Sequence, residues 1–108
     1  MEDAFKALYE TILDRKINPS EGSYTRYLFE QGLDKILKKI GEECAETIIA
    51  SKNTDKAAII GEISDLIFHL SVLMAEKGIS PEDIAGELNK RSTKTGNLKQ
   101  FHSTDKNT

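Results

Sequence analysis

Two stretches decide the fold: Lys35-Ile36-Leu37-Lys38-Lys39-Ile40-Gly41-Glu42-Glu43-Cys44-Ala45-Glu46, and Lys56-Ala57-Ala58-Ile59-Ile60-Gly61-Glu62-Ile63-Ser64-Asp65-Leu66-Ile67-Phe68-His69-Leu70-Ser71-Val72-Leu73-Met74. An advance of about 100° per residue is the helical period. At that step Leu33, Ile36, Leu37, Ile40, Cys44 and Ile48 share one side of the first stretch. Lys35, Lys39, Glu42 and Glu46 share the other, with Lys38 and Glu43 at its margins. In the second stretch Ile59, Ile63, Leu66, Ile67, Leu70, Leu73 and Met74 form a wide apolar arc, the mark of a core helix. Asn53-Thr54-Asp55 separates the two and supplies an N-cap, so the helices should run over Leu33–Ser51 and Lys56–Lys77, the second stopped by Gly78.

The flanking chain is helical too. Phe5, Leu8, Tyr9, Ile12 and Leu13 are spaced for a helix over 2–16, followed by a loop dense in turn formers, Asn18-Pro19-Ser20-Glu21-Gly22-Ser23. Residues 23–29 read as a short helical turn ending near Gly32. Ser80-Pro81-Glu82-Asp83 combines a capping hydroxyl, a proline at the first helical position and first-turn acids, so a last helix covers 81–91. Residues 92–108 are polar and aperiodic, and are expected to be a disordered tail on a domain of residues 1–91. The expectation is an all-α, compact bundle of four to five helices.

At 108 residues the chain is one domain with a thin core, so further burial in a partner is expected. The net charge of -3 argues against a nucleic-acid partner. No unbroken apolar run of about 18 residues is present, so no membrane association is expected. The lone Cys44 excludes an internal disulfide and a Cys-rich zinc site, and fits a cytoplasmic location.

The acids carry the chemistry. Glu42 and Glu46 are a like-charged i,i+4 pair, with Glu43 crowding both. Lys38 and Lys39 relieve part of that repulsion, and on its own this helix reads as a solvated, salt-bridged face. The second helix alters the balance: between Ile59 and Met74 its only ionisable groups are Glu62, Asp65 and His69, close together on one face. Burying carboxylates is costly unless they are paired or metal-bound. Antiparallel packing of the two helices would set Glu42, Glu43 and Glu46 opposite Glu62 and Asp65. A hard dication tolerates such a set, and Mg²⁺, with its preference for carboxylates and phosphates, fits better than zinc.

Glu42-Glu43-x-x-Glu46 followed by Glu62-x-x-Asp65 resembles the signature of the all-α nucleotide pyrophosphatases, which include MazG and the dimeric dUTPases. Ser23-Tyr24-Thr25, Gly32 through Glu43, Glu62 through Leu70 and Ala75 through Ser80 resemble, more narrowly, the phosphoribosyl-ATP pyrophosphatases of histidine biosynthesis, over about residues 3–92. The resemblance implies a MazG-like fold, Mg²⁺, a homodimer or higher assembly, and cleavage of phosphoribosyl-ATP to phosphoribosyl-AMP and pyrophosphate. Such a domain is often fused to a cyclohydrolase, and 108 residues leave no room for that partner, so the stand-alone form is expected.

On this reading Glu42, Glu43, Glu46, Glu62 and Asp65 are the metal and catalytic candidates, and the general base is sought among them. Lys35, Lys38 and Lys39 are candidates for the substrate phosphates, and Tyr24 and Thr25, with Arg26, for the substrate's ribose or phosphate. His69 reads as a supporting or packing residue rather than a ligand. Two alternatives stand: a house-cleaning nucleoside triphosphate pyrophosphatase with the same acid cluster, and a non-catalytic helical dimerisation module, which has no use for carboxylates on a core helix.

Overall fold

The computed structural model describes residues 4–93. Five helices follow one another: α1 (Ala4–Ile17), α2 (Tyr24–Gln31), α3 (Leu33–Ser51), α4 (Lys56–Lys77) and α5 (Pro81–Ser92). No strand occurs among the described residues. The fold is all-α, as the periodicity predicts. The tail expected over 92–108 lies outside the described residues, apart from Ser92 at the end of α5 and Thr93 at its C-cap.

Local signals set the boundaries. The Ser23 hydroxyl accepts from the Arg26 amide at 3.2 Å and starts α2. Gly32, at φ 91°, ends α2 and turns the chain into α3, a backbone conformation that a side chain would strain. The Asp55 carboxylate accepts from the amides of Ala57 and Ala58 at the start of α4. Gly78 closes α4 in the left-handed region at φ 69°. Ser80 and Asp83 cap α5 reciprocally, the Ser80 amide donating to the Asp83 carboxylate at 2.9 Å and the Asp83 amide to the Ser80 hydroxyl at 3.1 Å.

The α3–α4 hairpin is the scaffold. The Thr47 hydroxyl donates to the Glu43 carbonyl at 2.8 Å and approaches the Glu62 carbonyl at 3.3 Å, so α3 and α4 run antiparallel with residue 47 beside residue 62. Helices α1 and α2 pack against one end of this hairpin. The core there consists of Ile12, Leu28, Ile36, Val72 and Ala75, flanked by Leu8, Tyr9, Leu13, Phe29, Ile40, Phe68 and Leu73.

The hairpin's other end is covered less than the sequence pattern predicts. Ile48, Ile49, Ile60 and Ile63 are 64%, 66%, 54% and 42% exposed, and Leu37 and Cys44 are exposed as well. The stripe of α3 that turns inward is Ile36, Ile40, Glu43 and Thr47, so Cys44 does not lie on a buried apolar side. On α4 the buried residues are His69, Ser71, Val72 and Ala75 rather than the apolar arc as a whole. By length and composition α4, with a windowed mean hydropathy of 1.6, would suffice to cross a membrane. It carries Glu62, Asp65 and His69 and lies along α3, the packing expected of a scaffold helix.

Candidate active site

One turn of α3 and one turn of α4 place three carboxylates together. Oxygens of Glu43, Glu62 and Asp65 lie within 4.8 Å of one another. Glu43 is 5% exposed, Glu62 half-buried and Asp65 exposed, so the cluster opens from the hairpin interface toward solvent. The antiparallel register produces this: Glu62 and Asp65 are one helical turn apart, and both face the stripe that carries Glu43.

The electrostatics are those of crowded acids, with the Lys39 ammonium 4.0 Å from Glu43. Burial, then the neighbouring Glu46, pushes the Glu43 carboxyl above its ordinary range, with Asp65 adding to the effect and His69 and Lys39 opposing it. Glu62 is raised by the same kinds of cause, burial first, then Glu46, Asp65 and Glu43. Glu46 therefore acts on both members of the cluster by its charge, one turn farther along α3, without belonging to the tight group of three. Glu42 faces another way: its carboxylate meets Lys39 Nζ at 3.1 Å, and that hydrogen bond holds it below the usual carboxylate range. Of the five acids the sequence singles out, the structure gathers three, leaves Glu46 within electrostatic reach and engages Glu42 with lysine.

The basic residues divide similarly. Lys39 bridges Glu42 and approaches Glu43 at 4.0 Å; its ammonium is held above its ordinary value, chiefly by the Glu42 hydrogen bond. Lys35 lies over the Tyr27 ring, 5.8 Å from its centroid. Lys38 is exposed, and it and Lys35 also help to lower Glu42. Tyr24, at the first turn of α2, is half exposed and reaches His69 on α4, its hydroxyl 2.9 Å from Nε2. Thr25 follows it, partly buried. An open groove of about 390 Å³ is lined by Gly22, Ser23, Tyr24, Arg26, Tyr27 and Glu30.

Helical spacing puts Glu43 at the margin of the polar face, whereas in the structure it is buried. The signal was present: the Ile36–Ile40 stripe continues with equal ease to residue 43 or 44, and the glutamate rather than the cysteine takes the inward place. Spacing does not pair His69 with Tyr24, because a contact 45 residues apart leaves no trace in it.

Comparison with known proteins bears on the same residues. The family described as phosphoribosyl-ATP pyrophosphohydrolase matches residues 5–92, spanning every carboxylate named above. The chain belongs to the phosphoribosyl-ATP pyrophosphohydrolase family. It is accordingly an enzyme, a hydrolase of histidine biosynthesis. A phosphoribosyl-ATP pyrophosphatase of Clostridium novyi is 58% identical over 97 residues, 90% of this chain and 88% of the relative. One of Bacillus thuringiensis is 58% identical over 94 residues, 87% of this chain and 88% of the relative. The histidine biosynthesis bifunctional protein HisIE of Lactococcus lactis is 52% identical over 100 residues, which are 93% of this chain but 47% of that protein. A phosphoribosyl-ATP pyrophosphohydrolase must bind a polyphosphate, and oxygen ligands beside a lysine suit one held through a hard cation.

Proposed function

We propose that the chain hydrolyses phosphoribosyl-ATP at the α–β phosphoanhydride, giving phosphoribosyl-AMP and pyrophosphate, with Mg²⁺ held by the carboxylates of the α3–α4 hairpin. The observation that carries this reading is the convergence of Glu43, Glu62 and Asp65 within 4.8 Å, in a chain of this family. Three hard oxygen donors fit Mg²⁺ and not a soft metal. Glu46 stands one turn away as a further ligand, and Glu42 holds Lys39 in place. When bound, the ion neutralises charge on the phosphates and makes a bound water more acidic.

The protein's own groups supply the remainder. Lys39 and, farther along α3, Lys35 and Lys38 receive phosphate oxygens as point charges. Tyr24 and Thr25 face the nucleotide from α2. A raised carboxyl, Glu43 or Glu62, is suited to take a proton from the attacking water. The uncovered isoleucines at the far end of the hairpin support a second copy packing there, which would complete the thin core as a homodimer.

The test is pyrophosphate release from phosphoribosyl-ATP with and without Mg²⁺, beside dCTP and dUTP. Release from phosphoribosyl-ATP that requires the ion is expected. Cleavage of dCTP or dUTP alone would transfer the site to a house-cleaning pyrophosphatase.

A further inference from the structure

The open groove at the start of α2 adjoins the carboxylates without sharing any of them, and Tyr24 is the wall between. Its hydroxyl lies 2.9 Å from Nε2 of His69, one turn beyond Asp65 on α4, and the residue lines the groove with Arg26, Tyr27 and Glu30. The Tyr24 ring is stacked with Phe68 at 6.0 Å and with Tyr27 at 6.1 Å. Both tyrosines are well exposed, at 45% and 41%. An aromatic row therefore leads from α4, beside the carboxylates, out to the groove.

The groove's polar groups differ in kind from those of the cluster. Arg26 and Glu30 stand one turn apart on α2, the guanidinium donating through Nε to the carboxylate at 2.9 Å. That bond uses one of the five N–H groups of arginine, and no acceptor meets its terminal nitrogens among the described residues. An exposed i,i+4 pair of this kind contributes little to stability. Side by side, the two residues offer a donor fork suited to a phosphate and an acceptor suited to hydroxyls. Lys35, 5.8 Å from the Tyr27 centroid, adds a second cation at this end. A sugar phosphate carries the complement of both, a diol that donates and a phosphate that accepts. A polyphosphate carries acceptors alone, and Glu30 repels it.

Phosphoribosyl-ATP bears phosphate at both ends, a triphosphate on one ribose and a monophosphate on the other, with the purine between. The reading above assigns the triphosphate to Lys39 and the carboxylate-held ion. On that reading, on which this rests, we infer that the α2 groove is the subsite for the second sugar. Arg26 binds the phosphate of the phosphoribosyl group, Glu30 accepts from its diol, and the purine lies against the exposed Tyr24–Tyr27 pair. ATP has nothing to place in this groove, so the same residues select phosphoribosyl-ATP over ATP.

Two measurements test it. Binding of phosphoribosyl-AMP beside AMP, in chelator, needs neither turnover nor the ion. The parent protein should favour phosphoribosyl-AMP about tenfold or more, and Arg26→Met should lose most of that preference while its affinity for AMP holds. Equal affinities in the parent, or a preference that survives Arg26→Met, would overturn the assignment. In pyrophosphate release, Arg26→Met should raise KM for phosphoribosyl-ATP about tenfold, more than it lowers kcat, and leave competitive inhibition by ATP unchanged. Arg26→Lys, which keeps the charge and loses the fork, should fall between. A loss of kcat at constant KM, or an equal weakening of ATP inhibition, would move Arg26 to the triphosphate and overturn it. Glu30→Gln should also raise KM; a lower KM would show that the carboxylate only repels the phosphate and would overturn the diol contact. Arg26 joins the α2 cap through its backbone amide, so its variants should keep the helical circular dichroism. Release from phosphoribosyl-ATP without the binding preference sinks the subsite alone, whereas no release by the parent protein sinks the functional reading.

Discussion

Glu43 of α3 and Glu62 of α4 bring carboxylate oxygens within 4.8 Å of each other across the hairpin interface, and both carboxyls are pushed above their ordinary value. In the absence of a cation this contact is repulsive, and a dication converts it into an attraction. Metal binding and stability are therefore coupled.

Millimolar Mg²⁺ or Mn²⁺ should raise the melting temperature. At ten times the dissociation constant, linkage contributes about 1.4 kcal/mol, on the order of 5–10 °C for a domain of this size. Thermal melts with and without the ion check this, and a melting temperature indifferent to divalent ions would remove the ion from the carboxylate cluster. Glu62→Gln and Asp65→Asn should lose the ion-induced shift while keeping the helical circular dichroism.

The same substitutions should abolish turnover. Glu43→Gln, Glu62→Gln and Asp65→Asn each remove a member of the tight cluster, and about 100-fold or more should be lost from kcat/KM. Glu46→Gln, one turn away, should cost roughly 10–100-fold, the range for a group that supports ligands from just outside. Retained turnover in Glu46→Gln or Asp65→Asn, with secondary structure unchanged, would remove that residue from the site.

Stability of the metal-free protein should fall as pH rises. Glu43 and Glu62 have an ordinary value of 4.5 and are raised on folding, so the folded state binds protons more readily than the unfolded one. Their unfavourable contribution is absent below 4.5 and grows as pH climbs through the raised values. Melts in chelator across this window should therefore show a declining melting temperature with rising pH, from these two groups. Mg²⁺ should oppose the trend, because it binds the deprotonated form.

Lys39 should matter for binding more than for folding. Its contact with Glu42 is only partly shielded from solvent, and such pairs contribute little to stability. Lys39→Met should raise KM about tenfold or more through loss of a charge-assisted phosphate contact, with a melting temperature close to the parent's. Steady-state kinetics beside thermal melts separate the two effects.

The uncovered end of the hairpin gives a prediction about assembly. Ile49→Glu or Ile63→Glu should convert a dimer to monomer in light scattering, since a charge in an apolar interface is strongly unfavourable. Either residue, being 66% or 42% exposed within one chain, should leave the subunit's helices intact.

Helix order and boundaries were legible because they are local. Ser23, Asp55, Ser80 and Gly78 act on backbone groups within a turn of themselves, and spacing alone reveals them. The acids of the second helix were legible for a related reason: few charges interrupt an apolar arc, and their cost demands a partner. Which acids meet was decided elsewhere. The α3–α4 register turns Glu43 inward and leaves Cys44 and Ile48 outside, a choice between two neighbouring stripes that helical periodicity treats almost alike. The Tyr24–His69 bond likewise joins residues 45 apart, and only the docking of α2 on α4 brings them within reach. Periodicity specifies the faces of a helix, whereas rotation about its axis is set by what it packs against.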